Sequence, residues 1–238
     1  ATGNDPFALI RFMQVRLAVS GGERWGRYYQ VSKPESPVLD LMNVRYLLSR
    51  RPLAEAGVKK LTFAAEIPGR RIYENRDVLP RFFLVDRVHR VGSMEEGLSV
   101  IRSVDFRPAE SAVVETQVAL ASGPGTPDGN VRVVEYRPNS VTLEVQTASS
   151  AFLVTSETYY PGWRAFVDGR EQPIVIENVA FRGLPVEAGH HRIEMRFKPR
   201  ILSQGAMLSG ASWALLLLAF RFGDNERKRT AASGTAAS

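Results

Sequence analysis

Between Val131 and Phe197 short segments carry apolar residues at alternate positions, and few patterns restrict a chain's fold more. In "VTLEVQT" Val141, Leu143 and Val145 share one side, and in "HRIEMRF" Ile193, Met195 and Phe197 do the same. Side chains in a strand point alternately to opposite faces, so each segment has one face for a core and one for water. "VRVVEY", "AFLVTSE" and "WRAFVDGREQPIVI" fill the interval, with turns such as "RPNS" between them. Asp168-Gly169 between "AFV" and "REQPIV" is a two-residue hairpin signal. Short strands at this spacing predict an antiparallel β-sandwich.

The first half reads differently. "DPFALIRFMQVRLAV" opens with an Asp-Pro helix start and carries Phe7, Ile10 and Leu17 at near-helical spacing. Ser36-Pro37 predicts a helical turn that leads into a short strand, "VRYLLS". Two apolar runs, Arg71 to Tyr73 and Phe82 to Val88, precede a helix in "SMEEGLSVIRSVDF", which has Glu95 and Glu96 in its first turn. The Gly/Pro-rich "ASGPGTPDGN" at 121–130 marks the expected boundary. The expected fold class is α+β: a small mixed α/β subdomain over 1–120, an antiparallel β-sandwich over 130–199, and one C-terminal transmembrane helix over 201–220. A basic, disordered tail is expected at 221–238.

The membrane expectation rests on "ILSQGAMLSGASWALLLLAF", 20 residues without a charge between Arg200 and Arg221. As a helix they would extend about 30 Å, the thickness of a bilayer core. Ser203, Gln204, Ser209 and Ser212 dilute the first half, as a buried core helix would allow. "WALLLLAF" is apolar all round, and Gly205 with Ser209 has the small-xxx-small spacing of packed membrane helices. Basic residues flank both ends equally, so the positive-inside rule gives no orientation. A tail-anchored cytoplasmic domain and an outward-facing one both fit.

The net charge of +6 is spread among acids rather than gathered in a stripe, which argues against nucleic acid as partner. The absence of cysteine removes disulfides, thiolate metal sites and cysteine nucleophiles. His190 and His191 are adjacent, so in a strand they face opposite ways and cannot share a metal. No phosphate loop or Gly-x-Ser-x-Gly elbow occurs, so neither a catalytic nor a metal site is expected in this chain. Glu157 and Asp168 are the carboxylates nearest the aromatic cluster, but their separation, the criterion for paired acid–base work, is not legible.

That cluster is "TYYPGWRAFVDG", from Thr158 to Gly169. Tyr159, Tyr160 and Trp163 have the flat faces that stack on a sugar ring, while Arg164 and Asp168 have the groups to bond its hydroxyls. In the alternative reading, Pro161-Gly162 makes a corner and the aromatics close the end of the sandwich core.

Five motifs in order resemble the C-terminal region of the bacterial YfhO family of membrane proteins: "LDLMNVRYLLS", "IYENRDVLPRFFLV", "YYPGWRAFVDG", "VAFRGLPVEAGHHRIEMRFKP" and the start of the last helix, "LSQGAMLS". The resemblance implies a fragment of a larger polytopic protein whose membrane core is similar to GT-C glycosyltransferases. Such an enzyme would take sugar from a polyprenyl-phosphate carrier and pass it to a cell-envelope glycan. It implies further that residues 1–198 lie outside the bacterial cytoplasmic membrane with the tail inside. The partners would be the membrane, the missing N-terminal helices, and a glycan or lipid-linked sugar, with Tyr159, Tyr160, Trp163, Arg164 and Asp168 as candidate sugar contacts. The catalytic carboxylate is expected in the missing core, so the fragment would hold no cofactor and would not be catalytic by itself. The alternative is a non-catalytic glycan-binding or scaffold module of the envelope.

Overall fold

A computed structural model describes residues 10–20, 30–53, 58–118, 120, 127–199, 205 and 207–217. The chain separates into two compact units, Ala1–Arg196 and Phe197–Ser238. It begins with helices α1 (Ile10–Val19) and α2 (Pro37–Leu41) and strands β1 (Tyr46–Ser49), β2 (Leu61–Ile67) and β3 (Arg70–Asn75). Next come β4 (Phe82–Val85), β5 (Arg87–Arg90), helix α3 (Met94–Arg102) and β6 (Ser111–Val114). The remainder is β7 (Gly129–Arg137), β8 (Ser140–Thr147), β9 (Ala151–Thr155), β10 (Trp163–Val167), β11 (Arg170–Gln172), β12 (Val175–Glu177), β13 (Phe181–Val186) and β14 (Gly189–Phe197).

Local chemistry accounts for the element ends. Ser36 accepts from the Val38 amide at 3.3 Å and Pro37 opens the first turn of α2. Ser93 caps α3 by accepting from Glu96 N at 3.2 Å, and the Glu96 carboxylate reaches back to Gly92 N. Asp168 and Gly169 take φ of 50° and 80°, the left-handed pair of a type I′ turn, and so set Val167 opposite Arg170 in the β10–β11 hairpin.

The strands form three sheets, ordered β1-β3-β2, β11-β10-β14-β8-β7 and β4-β9-β13-β12-β6-β5. In the last of these β4 and β5 lie at opposite edges, yet only Asp86 separates them in sequence. The six-stranded sheet must therefore curl until its edges meet at that residue. On one face Leu84, Ala151, Leu153 and Leu184 pack with Val141, Leu143, Ile193 and Met195 of the five-stranded sheet. On the other, Val85, Phe152, Val154 and Phe181 pack with Val15 and Val19 of α1, Leu39 of α2, Ile101 of α3 and Tyr73 of the small sheet. The result is three layers: sheet, curled sheet, then helices with the small sheet.

Two parts of the expected fold class are corrected. The structure is mostly β, and the mixed subdomain and the sandwich do not follow one another. β4, β5 and β6 precede the Gly/Pro-rich stretch but share a sheet with β9, β12 and β13, which follow it. The sequence showed alternation within each strand but not which distant strand would bond its edge. The second correction concerns the transmembrane helix. Among the described residues no helix is long and apolar enough to cross a membrane. Residues 201–204, 206 and 218–220, the tail from 221 and the predicted helix start at Asp5-Pro6 lie outside the described residues.

Gly183 of β13 tests how tightly the curled sheet is packed. A Cβ there would fall 2.5 Å from the Leu153 carbonyl oxygen and 2.6 Å from the Phe152 ring. Gly183→Ala is expected to lower stability by about 1–3 kcal/mol, read as a lower urea midpoint at unchanged slope.

Candidate functional site

The corner at Thr158–Gly169 is built on β13. Thr158 bridges to Phe181, and Tyr159 N donates to Ala180 O at 2.8 Å. Gly162 has φ of 112°, a conformation that the bend before β10 requires and that a side chain would resist. Trp163 then opens β10 and packs, partly buried, against the core between the two large sheets.

Beneath it lies Arg182, only 3% exposed, with its guanidinium 3.7 Å from the centre of the Trp163 ring. Arg182 Nη1 donates to Thr158 O at 3.2 Å and Nη2 to Glu157 Oε2 at 3.3 Å. The other oxygen of Glu157 accepts from Tyr136 Oη at 2.8 Å and from Arg81 Nη1 at 3.2 Å. Arg81 also donates to Tyr136 Oη and lies 5.3 Å from the centre of that ring. One carboxylate thus links a buried cation, an exposed cation and a phenol. Burial lowers the Arg182 pKa to about 10 against the opposing pull of Glu157 and Tyr136, so the guanidinium stays charged at neutral pH. The Tyr136 phenol is raised, first by burial and then by its bond to Glu157.

The five expected contact residues divide. Tyr160 stands 47% exposed at the bend, and Trp163 has one ring face covered by Arg182. Tyr159 is half-buried beside them. Arg164 instead pairs with Glu171 on β11 and lies over the Phe166 ring. Asp168 is five positions beyond Trp163, about 17 Å along a strand. It accepts from Arg192 N at 2.8 Å and pairs with His191 Nδ1 at 2.7 Å, and these bonds, the backbone one first, lower its pKa. The corner therefore gathers Tyr160 and Trp163 with Glu157, Tyr136, Arg81 and Arg182, and places Arg164 and Asp168 elsewhere. The last three partners escaped sequence reading. Arg182 alone had a local signal, a single charge inside the apolar run "VAFRGLPV".

A second unusual cluster lies at the β12–β13 turn. Glu177 is wholly buried; its Oε1 accepts from Thr155 N at 3.4 Å and its Oε2 has no hydrogen-bond partner among the described residues. Burial raises its pKa well above the ordinary value, against weaker opposition from Thr155 N and Asn178. Asn178 and Val179 follow with φ of 44° and 75°. For a β-branched residue that costs about 1–3 kcal/mol. Asn178 exchanges two bonds with Val113, and Arg11, paired to Glu115, donates to Val179 O at 3.1 Å, so the turn is fixed from both ends.

Residues 127–209 match the model of a family described as bacterial membrane protein YfhO. The similarity is confined to that stretch, which includes the whole of Thr158–Gly169. Neither a curated protein nor a solved structure matches the chain.

The buried carboxyl of Glu177 gives stability a pH dependence. Its folded pKa lies above its unfolded one, so the folded state holds the proton longer. Stability is then highest below the ordinary glutamate range and falls as pH rises from there towards the folded pKa. Glu177→Gln should flatten that fall, and chemical denaturation from pH 4 to 9 would show the variant gaining on wild type as pH rises.

Proposed function

We propose that this chain is the non-catalytic, glycan-facing part of a YfhO-type membrane protein, standing outside the bacterial cytoplasmic membrane. It presents the Tyr136–Tyr160 edge to a cell-envelope glycan that the membrane core elongates with sugar from a polyprenyl-phosphate donor. One observation carries the contact: exposed Tyr136 bonds an Arg81–Glu157 pair that Arg182 and Trp163 brace from below, and exposed Tyr160 accepts from Trp163 N at the same corner. Aromatic faces complement the C–H side of a sugar, and a fixed cation–carboxylate pair supplies donors and acceptors for hydroxyls. Trp163 belongs to the floor of this edge, since one of its faces already holds a guanidinium. Glu157 accepts from three side chains, an arrangement suited to positioning rather than to proton transfer. The link to a polyprenyl-phosphate donor and to glycosyl transfer rests on the motif resemblance.

The test is an array of bacterial envelope oligosaccharides probed with the full chain, followed by calorimetry on any hit. Loss of one stacking ring in Tyr160→Ala should weaken binding about two- to tenfold, and Tyr136→Phe should weaken it less. Failure of wild type to bind any array member, or equal binding by both variants, would remove the glycan reading.

A further inference from the structure

The small sheet, outside the family-matched region, has a feature that the corner does not use. From Phe63 to Gly69 every residue is exposed, so the outer half of the β2–β3 hairpin projects from the body. Its tip is the turn Ile67-Pro68-Gly69-Arg70, with Gly69 at φ 71° and no atom near its missing Cβ. A bulge between Phe63 and Ala65 switches the alternation: Phe63 sits opposite the buried Tyr73, whereas Ala65 sits opposite Ile72. That switch turns Ala65 and Ile67 to the outward face with Ile72, and β1 adds Leu48, paired with Ile72, and Tyr46. Leu48 is 60% exposed, Tyr46 52% and Ile67 42%. Exposed apolar side chains grouped on a protruding edge mark a contact surface.

The charges at this end are mostly basic. Arg50 and Arg51 follow β1, and Arg70 and Arg71 open β3, whose Arg71 is opposite Ser49. Glu66 pairs with Arg71 and Glu74 with Arg45, which leaves Arg50, Arg51 and Arg70 without a carboxylate partner among the described residues. A second copy is a poor occupant, because a two-fold contact through this patch would set these arginines against their own kind. An apolar tip ringed by uncompensated arginines instead matches a surface with anionic phosphates above an apolar layer.

We propose that the β2–β3 hairpin, with Leu48 and the flanking Arg50, Arg51 and Arg70, docks on an anionic phospholipid bilayer, Ile67 and Leu48 entering the interface and the arginines binding lipid phosphates. This contact fixes the attitude of the folded unit at the membrane surface, and it holds whether or not the corner binds glycan.

The chain has no cysteine, so Ile67→Cys in the full chain takes a single nitrobenzoxadiazole label at the tip. Val104→Cys, at a strongly exposed position in another loop, is the reference. Vesicles of phosphatidylglycerol and phosphatidylcholine should blue-shift the label at 67 and raise its emission severalfold, leaving the label at 104 unchanged. Molar salt, pure phosphatidylcholine vesicles, or Arg50→Glu with Arg70→Glu in a protein of unaltered circular dichroism should each abolish the shift. The proposal is overturned by a label at 67 that stays solvent-like on anionic vesicles, by equal shifts at 67 and 104, by a response indifferent to the arginines, or by a concentration-dependent shift without lipid, which would assign the patch to a second copy.

Discussion

The curled six-stranded sheet is buried on both faces, and the other layers depend on it. Strand β9 shows this most directly, because all five of its residues are buried and they alternate between two cores. Ala151 and Leu153 face the five-stranded sheet, while Phe152 and Val154 face the helices. A one-residue slip of β9 would exchange every side chain between the two cores, so register here is specified from both sides. The pairing of β9 with β4 and β13 then fixes where each flanking layer can stand.

A sheet covered on both sides leaves little room for charge, and the charges it does bury are few and held. Lys60 donates to Asp40 Oδ1 at 2.8 Å and to Ser36 O at 2.7 Å, tying α2 to the start of β2. Asn75 Nδ2 donates to the same Asp40 oxygen at 2.7 Å from β3. Desolvation still raises the Asp40 pKa against the opposing bonds of Lys60 and Asn75. Arg182 is handled in another way, with its planar face on Trp163 and its edge on Glu157 and Thr158 O. Planar stacking of this kind suits a guanidinium, which is more weakly hydrated than an ammonium group. Glu177 has no cation beside it among the described residues, and its burial favours the protonated form.

The same Arg182 connects architecture to the surface. It fixes Glu157, which in turn fixes Tyr136 and Arg81, so an exposed polar edge inherits the rigidity of the sheet beneath it. A recognition surface is most precise when its side chains are locked by such supporting bonds. The hairpin at Ile67 is the opposite case: it leaves the body and carries its apolar residues into solvent.

What the sequence determined by itself was local. Period-two alternation located Val141, Leu143, Val145, Ile193 and Met195 on the core side, Ser36-Pro37 started a helix, and Asp168-Gly169 made its turn, each through bonds within a few residues. The tertiary structure decided everything that depended on strand edges meeting across long separations. The single run from Phe82 to Val88 became two strands broken at buried Asp86, because each half bonds a different edge of the curled sheet. The aromatic corner was visible as composition, yet its partners Arg81 and Tyr136 lie 76 and 21 residues from Glu157 and carry no local sign of it. Alternation and turn chemistry are properties of neighbours, whereas register and burial of charge are settled only when distant segments compete for the same space.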